Sequence, residues 1–124
     1  MKIKVCGMKD PQNIKQIACL NPDMMGFIFY EKSDRYVDEQ SLKEVIQELP
    51  SSIFRVAVFV DEDSENVLQI CKDFGFSHAQ LHGNETPEYC AQIKAGGVSV
   101  IKVFHMDETF DFVCAKPYEN CSDL

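Results

Sequence analysis

Positive charge is scarce in this sequence: 12 Lys and Arg stand against 20 Asp and Glu, for a net charge of −8. A surface of one negative sign repels phosphates, which argues against nucleic acid and anionic membranes as partners. An anionic small molecule would need a local island of cations and backbone N–H groups. Long apolar runs are also missing, so no segment reads as a bilayer span, and the N-terminus shows no signal-peptide pattern. The six cysteines, at positions 6, 19, 71, 90, 114 and 121, include no C-x-x-C pair and no zinc-finger spacing. That spacing gives no expectation of a zinc site. Free thiols in a reducing, cytoplasmic setting are expected. No Gly/Ser-rich or Pro-rich linker divides the chain, so residues 1–124 are expected to form a single domain.

What is present is apolar periodicity. At 45% apolar residues, 124 residues can bury roughly two-thirds of their unfolded surface. Lys2 to Val5 reads as a short strand, ending at Cys6 and turning at Gly7. Asp10-Pro11 then starts a helix, as N-cap and first helical residue. Ile14, Ile17 and Ala18 share its buried face, and Asn21-Pro22 stops it. The continuous apolar run Met24 to Tyr30 suits a strand covered on both faces. Asp38 is expected to cap a second helix bearing Leu42, Val45, Ile46 and Leu49. Ile53 to Val60 is a third strand, followed by a helix with Val67, Ile70, Cys71 and Phe74 inward and Gly75 as its stop. Ser77 to Gly83 is a shorter, more polar strand, and Thr86-Pro87 starts a fourth helix. Val98 to Phe104 is a fifth strand. Met106 to Ala115 is expected to be a fifth helix burying Phe110, Val113 and Cys114, and Lys116 to Leu124 a polar tail without period.

Strands recurring roughly every 20 to 30 residues with helices between them predict an α/β fold with parallel strands and right-handed crossovers. Two architectures fit this pattern. One is an incomplete (β/α)₈ barrel of about five βα units; the other is an open, flavodoxin-like sheet, which the length favours.

Chemistry concentrates at the strand ends. Cys6 closes the first strand, where α/β proteins place reactive groups, although a free Cys is also an ordinary small core residue. Arg35 lies in the polar loop Glu31 to Tyr36, and can be a carboxylate ligand or a solvated arginine paired with Asp34 or Glu31. Gln80 and His82 alternate with Leu81 and Gly83, so both face one side of a strand end. They either bind a ligand or make structural hydrogen bonds to neighbouring strands. His105 has no evident partner. A thiol redox role for Cys6 has no resolving Cys at suitable spacing.

Four segments, taken together, closely resemble phosphoribosylanthranilate isomerases, collinearly from Lys2 to about Phe104. They are Lys4-Val-Cys6-Gly7-Met8, Gly26 to Tyr30 with Lys32-Ser33 and Arg35-Tyr36, Arg55 to Val60, and Gln80-Leu-His82-Gly83. The resemblance implies a (β/α)₈ barrel that carries out an Amadori rearrangement in tryptophan biosynthesis, without metal or organic cofactor. N-(5-phosphoribosyl)anthranilate, a phosphorylated sugar-anthranilate, would be the substrate. It also implies that Cys6 is the general base taking the proton from C2 of the ring-opened sugar, that Arg35 faces the anthranilate carboxylate, and that Gln80 and His82 contact substrate. An ordinary thiol, with pKa about 8.5, is mostly protonated at neutral pH, so such a site must favour its anion.

The sequence departs from the family pattern in one respect. The family's general acid, an aspartate in a D-T-K type segment on strand six, is not among these residues, nor are the glycine-rich phosphate loops after strands seven and eight. Ser122-Asp123-Leu124 lacks that segment, and Asp123 is not assigned the acid role. The resemblance therefore implies a chain that alone is a poor or inactive isomerase, or a non-catalytic piece needing a complementary half. Unpaired edges at strands one and five, with one uncovered sheet face, lead to an expectation of self-association or of a tail folded over that face.

Overall fold

Five parallel strands lie side by side in the order in which the chain makes them, β1 (Lys4–Cys6), β2 (Met24–Ile28), β3 (Phe54–Phe59), β4 (His78–Leu81) and β5 (Ser99–Lys102). The computed structural model describes residues 1–37 and 39–124. Four helices alternate with the strands: α1 (Pro11–Ala18), α2 (Glu39–Gln47), α3 (Ser64–Phe74) and α4 (Pro87–Ala95). The register is continuous across the sheet: Cys6 pairs with Gly26, Gly26 with Val56, Val58 with Gln80, and Gln80 with Ile101.

This order settles the architecture. A doubly wound sheet reverses its strand order and carries helices on both faces. Here there is no reversal, and the helices cover one face. Alternate strand residues Met25, Phe27, Ala57, Phe59, Ala79, Leu81 and Val100 are fully buried in one cluster with Ile14, Leu42, Ile46, Val67, Phe74, Cys90 and Ile93 from the helices. The intervening row, including Cys6, Ile28, Val58 and Gln80, lines a cleft on the other face. Sequential strands with one-sided helices make an incomplete (β/α)₈ barrel, and the open flavodoxin-like alternative is set aside.

The helices begin where the local chemistry places them. Asp10 accepts from the Asn13 N–H at 2.7 Å, Asp63 from Glu65 and Asn66, and Thr86 from Tyr89. Gly75, at φ +72°, closes α3 in the left-handed conformation. Asp38, the expected cap of α2, lies outside the described residues. Phe29 contacts Phe59, Phe74 and Phe76 at centroid distances of 5.4 to 5.7 Å, locking β2 and β3 to α3.

Three expectations are corrected at the C-terminal side. Residues 106–115 form no α-helix. Asp107 accepts from Thr109 N–H at 2.8 Å and closes a turn, and Asp111 starts a 3₁₀ helix over Phe112–Tyr118 that contains Pro117. Val113 and Cys114 are exposed instead of buried, and Phe110 is half-buried. The tail does not fold over the bare face but docks along β5. Asp123 N–H donates to Val100 O at 2.7 Å, and Lys102 N–H to Leu124 O at 2.9 Å, extending a parallel ladder along the β5 edge. That edge is therefore partly paired. Cys121 is buried, and Lys94 forms a 3.0 Å ion pair with Asp123.

Candidate active site at the carboxyl ends of the strands

Strand alternation brings the chemistry-bearing side chains to one place. Lys4 and Cys6, two apart on β1, share the concave face with Ile28, Val58 and Gln80, whose strands are in register. Just past the strand ends, Arg35, His82 and His105 complete a cleft of about 650 Å³. All four residues singled out from the sequence, Cys6, Arg35, Gln80 and His82, line this cleft.

Gly7 and Gly26 make the space. A Cβ on residue 26 would stand 2.8 Å from Cys6 Sγ and 3.1 Å from Lys4 Nζ, so the thiol and the ammonium both occupy the room this glycine leaves. Gly7, at φ +81°, turns the chain out of β1. A Cβ there would stand 2.6 Å from Arg35 Nη1, so the guanidinium lies across the residue that follows the thiol. The loop carrying Arg35 is pinned to the β1–α1 connection by Lys9 Nζ, which donates to Asp34 O at 2.7 Å. Arg35 makes no ion pair with Asp34 or Glu31; the ion pairs among the described residues are Lys94–Asp123 and Lys102–Glu85.

Gln80 accepts from Lys4 Nζ at 2.7 Å, a hydrogen bond joining β4 to β1 along the cleft floor. His82 stacks on His105, with ring centroids 5.1 Å apart. Burial, followed by the charges of His105, Lys102 and Lys4, pushes the His82 pKa below the usual 6.5, while Glu85 pulls the other way. These influences favour the neutral imidazole, which can accept or donate a hydrogen bond.

Asp123 is far from this chemistry in function as well as in sequence. Its carboxylate accepts from Val100 N–H at 2.9 Å and pairs with Lys94, and these contacts hold its pKa below the ordinary range. It acts as a strand-edge fastener. His78 bonds Ser77 Oγ at 2.8 Å and does not line the cleft. Burial pushes the thiol of Cys90 up to about 11 and that of Cys71 up to about 12, which suits core residues. No cluster of three or more His, Cys, Asp or Glu that could hold a metal is found among the described residues.

The places of Lys4, Gly26 and His105 in the cleft were not assigned from the sequence. The period of two would have placed Lys4 beside Cys6. The stacking of His105 on His82 depends on β5 pairing next to β4, which spacing alone does not reveal.

A one-sided parallel sheet with a thiol, a guanidinium and an imidazole pair at its carboxyl ends is the wall and mouth of a (β/α)₈-type barrel. The chain belongs to the phosphoribosylanthranilate isomerase family: the family model for N-(5'-phosphoribosyl)anthranilate (PRA) isomerase matches residues 3–123. An N-(5'-phosphoribosyl)anthranilate isomerase of Phocaeicola vulgatus is 46% identical over 123 residues, covering 99% of this chain and 58% of the relative. A solved structure of monomers generated from the dimeric Thermotoga maritima isomerase superposes with a TM-score of 0.86 at 30% identity, over 97% of this chain and 61% of that one. Another isomerase, solved with reduced 1-(o-carboxyphenylamino)-1-deoxyribulose 5-phosphate, gives a TM-score of 0.76 at 35% identity, over 82% and 52% of the two chains. The chain thus spans about three-fifths of the length of the Phocaeicola relative. No helix among the described residues is long and apolar enough to cross a membrane.

Proposed function

We propose that residues 1–124 form one domain, the N-terminal portion of a phosphoribosylanthranilate isomerase barrel, and that it bears the base side of that enzyme's site. The reaction is the Amadori rearrangement of N-(5-phosphoribosyl)anthranilate in tryptophan biosynthesis. The observation that carries this reading is the convergence of Cys6, Arg35, Gln80 and His82 on one cleft.

Ring opening, with a proton on the furanose oxygen, leaves an iminium, and the Cys6 thiolate takes the proton from its C2. The C–H electron pair forms the C1–C2 double bond, and the C=N pair returns to the iminium nitrogen, which keeps its proton and becomes a neutral amine. Tautomerisation of the enol then gives the aminoketose. Arg35, whose guanidinium lies over Gly7 in the cleft that holds the thiol, donates from its planar fork to the anthranilate carboxylate. Gln80 and His82 hydrogen-bond the sugar hydroxyls. Opening the ring first requires a proton at the furanose oxygen, and such general-acid steps contribute about 10²–10⁴-fold. No residue of this chain is assigned that step, so the chain alone is a poor isomerase. Its bare concave face and the unpaired β1 edge favour self-association.

The test is titration of the 124-residue chain with reduced 1-(o-carboxyphenylamino)-1-deoxyribulose 5-phosphate, followed by NMR. Shifts centred on Arg35, Gln80 and His82, abolished by Arg35→Ala, are expected. An unperturbed cleft, or turnover by the chain alone comparable to ordinary enzymes, overturns the corresponding part of the reading.

A further inference from the structure

At the rim of β4 and β5 lies a buried ion pair that takes no part in the cleft itself. Lys102 Nζ is 3.0 Å from Glu85 Oε2, and the two side chains are 3% and 2% exposed. Burying two charges is costly, and an apolar pair of similar volume would often stabilise a core as well or better. The contacts of this pair indicate what the charges do. The ammonium also reaches Gly83 O at 2.8 Å, Val103 O at 3.0 Å and Leu81 O at 3.4 Å. The carboxylate accepts from Gly83 N–H at 3.0 Å and from Asp61 N–H at 3.0 Å. Tyr118 adds a hydrogen bond from its hydroxyl to Glu85 O at 2.9 Å.

These groups bracket one residue. Leu81 and Gly83 are the chain neighbours of His82, and the pair grips the backbone on both sides of it. Val103, just past the end of the adjacent strand β5, leads two residues later into His105, the ring stacked on His82. Asp61 brings in the loop that follows β3. His82 N–H donates to Phe59 O at 2.9 Å and Asn84 N–H to Asp61 Oδ1 at 2.6 Å, so the turn after β4 is tied to β3 and its loop as well, while the ion pair supplies the contacts on both flanks of the imidazole.

We propose that Glu85 and Lys102 are positioning residues that hold His82, with His105, at the angle required by a ligand in the cleft. Their effect on ligand binding rests on the substrate reading given above; their effect on the rings does not.

The pair is removed without leaving an orphan charge in the double variant Glu85→Leu/Lys102→Met. Its ring-proton NMR shifts for His82 and His105 should lose the mutual ring-current displacement of the wild type. Its affinity for reduced 1-(o-carboxyphenylamino)-1-deoxyribulose 5-phosphate should fall by about tenfold or more, since misplacing a site group by about 1 Å can cost on the order of 10²-fold. Adding His82→Ala should then cost little further affinity. If the double variant does not fold, Glu85→Gln, which keeps the shape and removes the charge, is read the same way with smaller shifts. A folded variant with wild-type ring shifts overturns the proposal, as does a loss of affinity that adds fully to that of His82→Ala. Should the wild type itself not bind this ligand, the substrate reading falls, and the ring shifts alone decide the positioning role.

Discussion

The guanidinium of Arg35 lies across Gly7, with Nη1 2.6 Å from where a Cβ on that residue would stand. The residue that follows the thiol therefore sets the seat of the arginine. In Gly7→Ala the methyl meets Arg35, and φ of +81° is strained for any side chain. The variant should lose about 1–3 kcal/mol of stability in urea unfolding. It should also lose binding of the reduced ribulose-phosphate analogue to the extent that Arg35→Ala does.

Gly26→Ala tests the floor in the same way. Its methyl would stand 2.8 Å from Cys6 Sγ, in the middle of a strand pair, so the thiol must move. Overpacking of this kind costs about 1–3 kcal/mol. Peptide-resolved alkylation should show a changed rate at Cys6 and unchanged rates at the exposed Cys19 and Cys114.

Cys6→Ser separates chemistry from binding. If the thiol is the base, analogue affinity stays within a few-fold of wild type. Isomerase turnover, measured with the remaining barrel units supplied in trans, falls by about 10² or more.

The pH dependence follows from His82. Its folded pKa lies below 6.5, so between the two values the unfolded chain binds more protons. The contribution of His82 to stability is therefore complete above pH 6.5 and declines as pH falls below it. An NMR titration of the His82 ring should give a midpoint under 6.5, and His105→Ala should raise it by removing one of the opposing charges.

Sedimentation should show association that grows with concentration, through the uncovered concave face and the β1 edge. A monodisperse monomer across the accessible range would contradict that expectation.

Much of this was legible from local rules. Asp10-Pro11, Thr86-Pro87 and Gly75 mark helix ends because capping is a matter of a few adjacent residues. The rows Val67, Ile70, Cys71 and Phe74, and Leu42 with Ile46, follow from helical period. The fifth helix was misread because Phe110, Val113 and Cys114 mimic that period, while the turn at Asp107 and the restart at Asp111 break it. The docking of the tail on the β5 edge was not legible because it comes from main-chain bonds to Val100 and Lys102, which composition does not record. Gln80 and His82 could be placed on one face by alternation alone, whereas Cys6 shares that face only through the register of β1 to β4. Lys102 was also readable in principle: a lysine inside an apolar strand needs a buried counter-charge, and Glu85 stands three residues past His82.

Sequential strand order has a kinetic consequence. Every strand pairs with the strand one βα unit away in the chain, so forming each pair closes only a short loop. Low separation between partners speeds folding and lets structure grow unit by unit. Hydrogen-exchange pulse labelling during refolding should therefore show amides becoming protected in contiguous blocks, with β2 and β3, gripped by the Phe29 aromatic cluster, protected first.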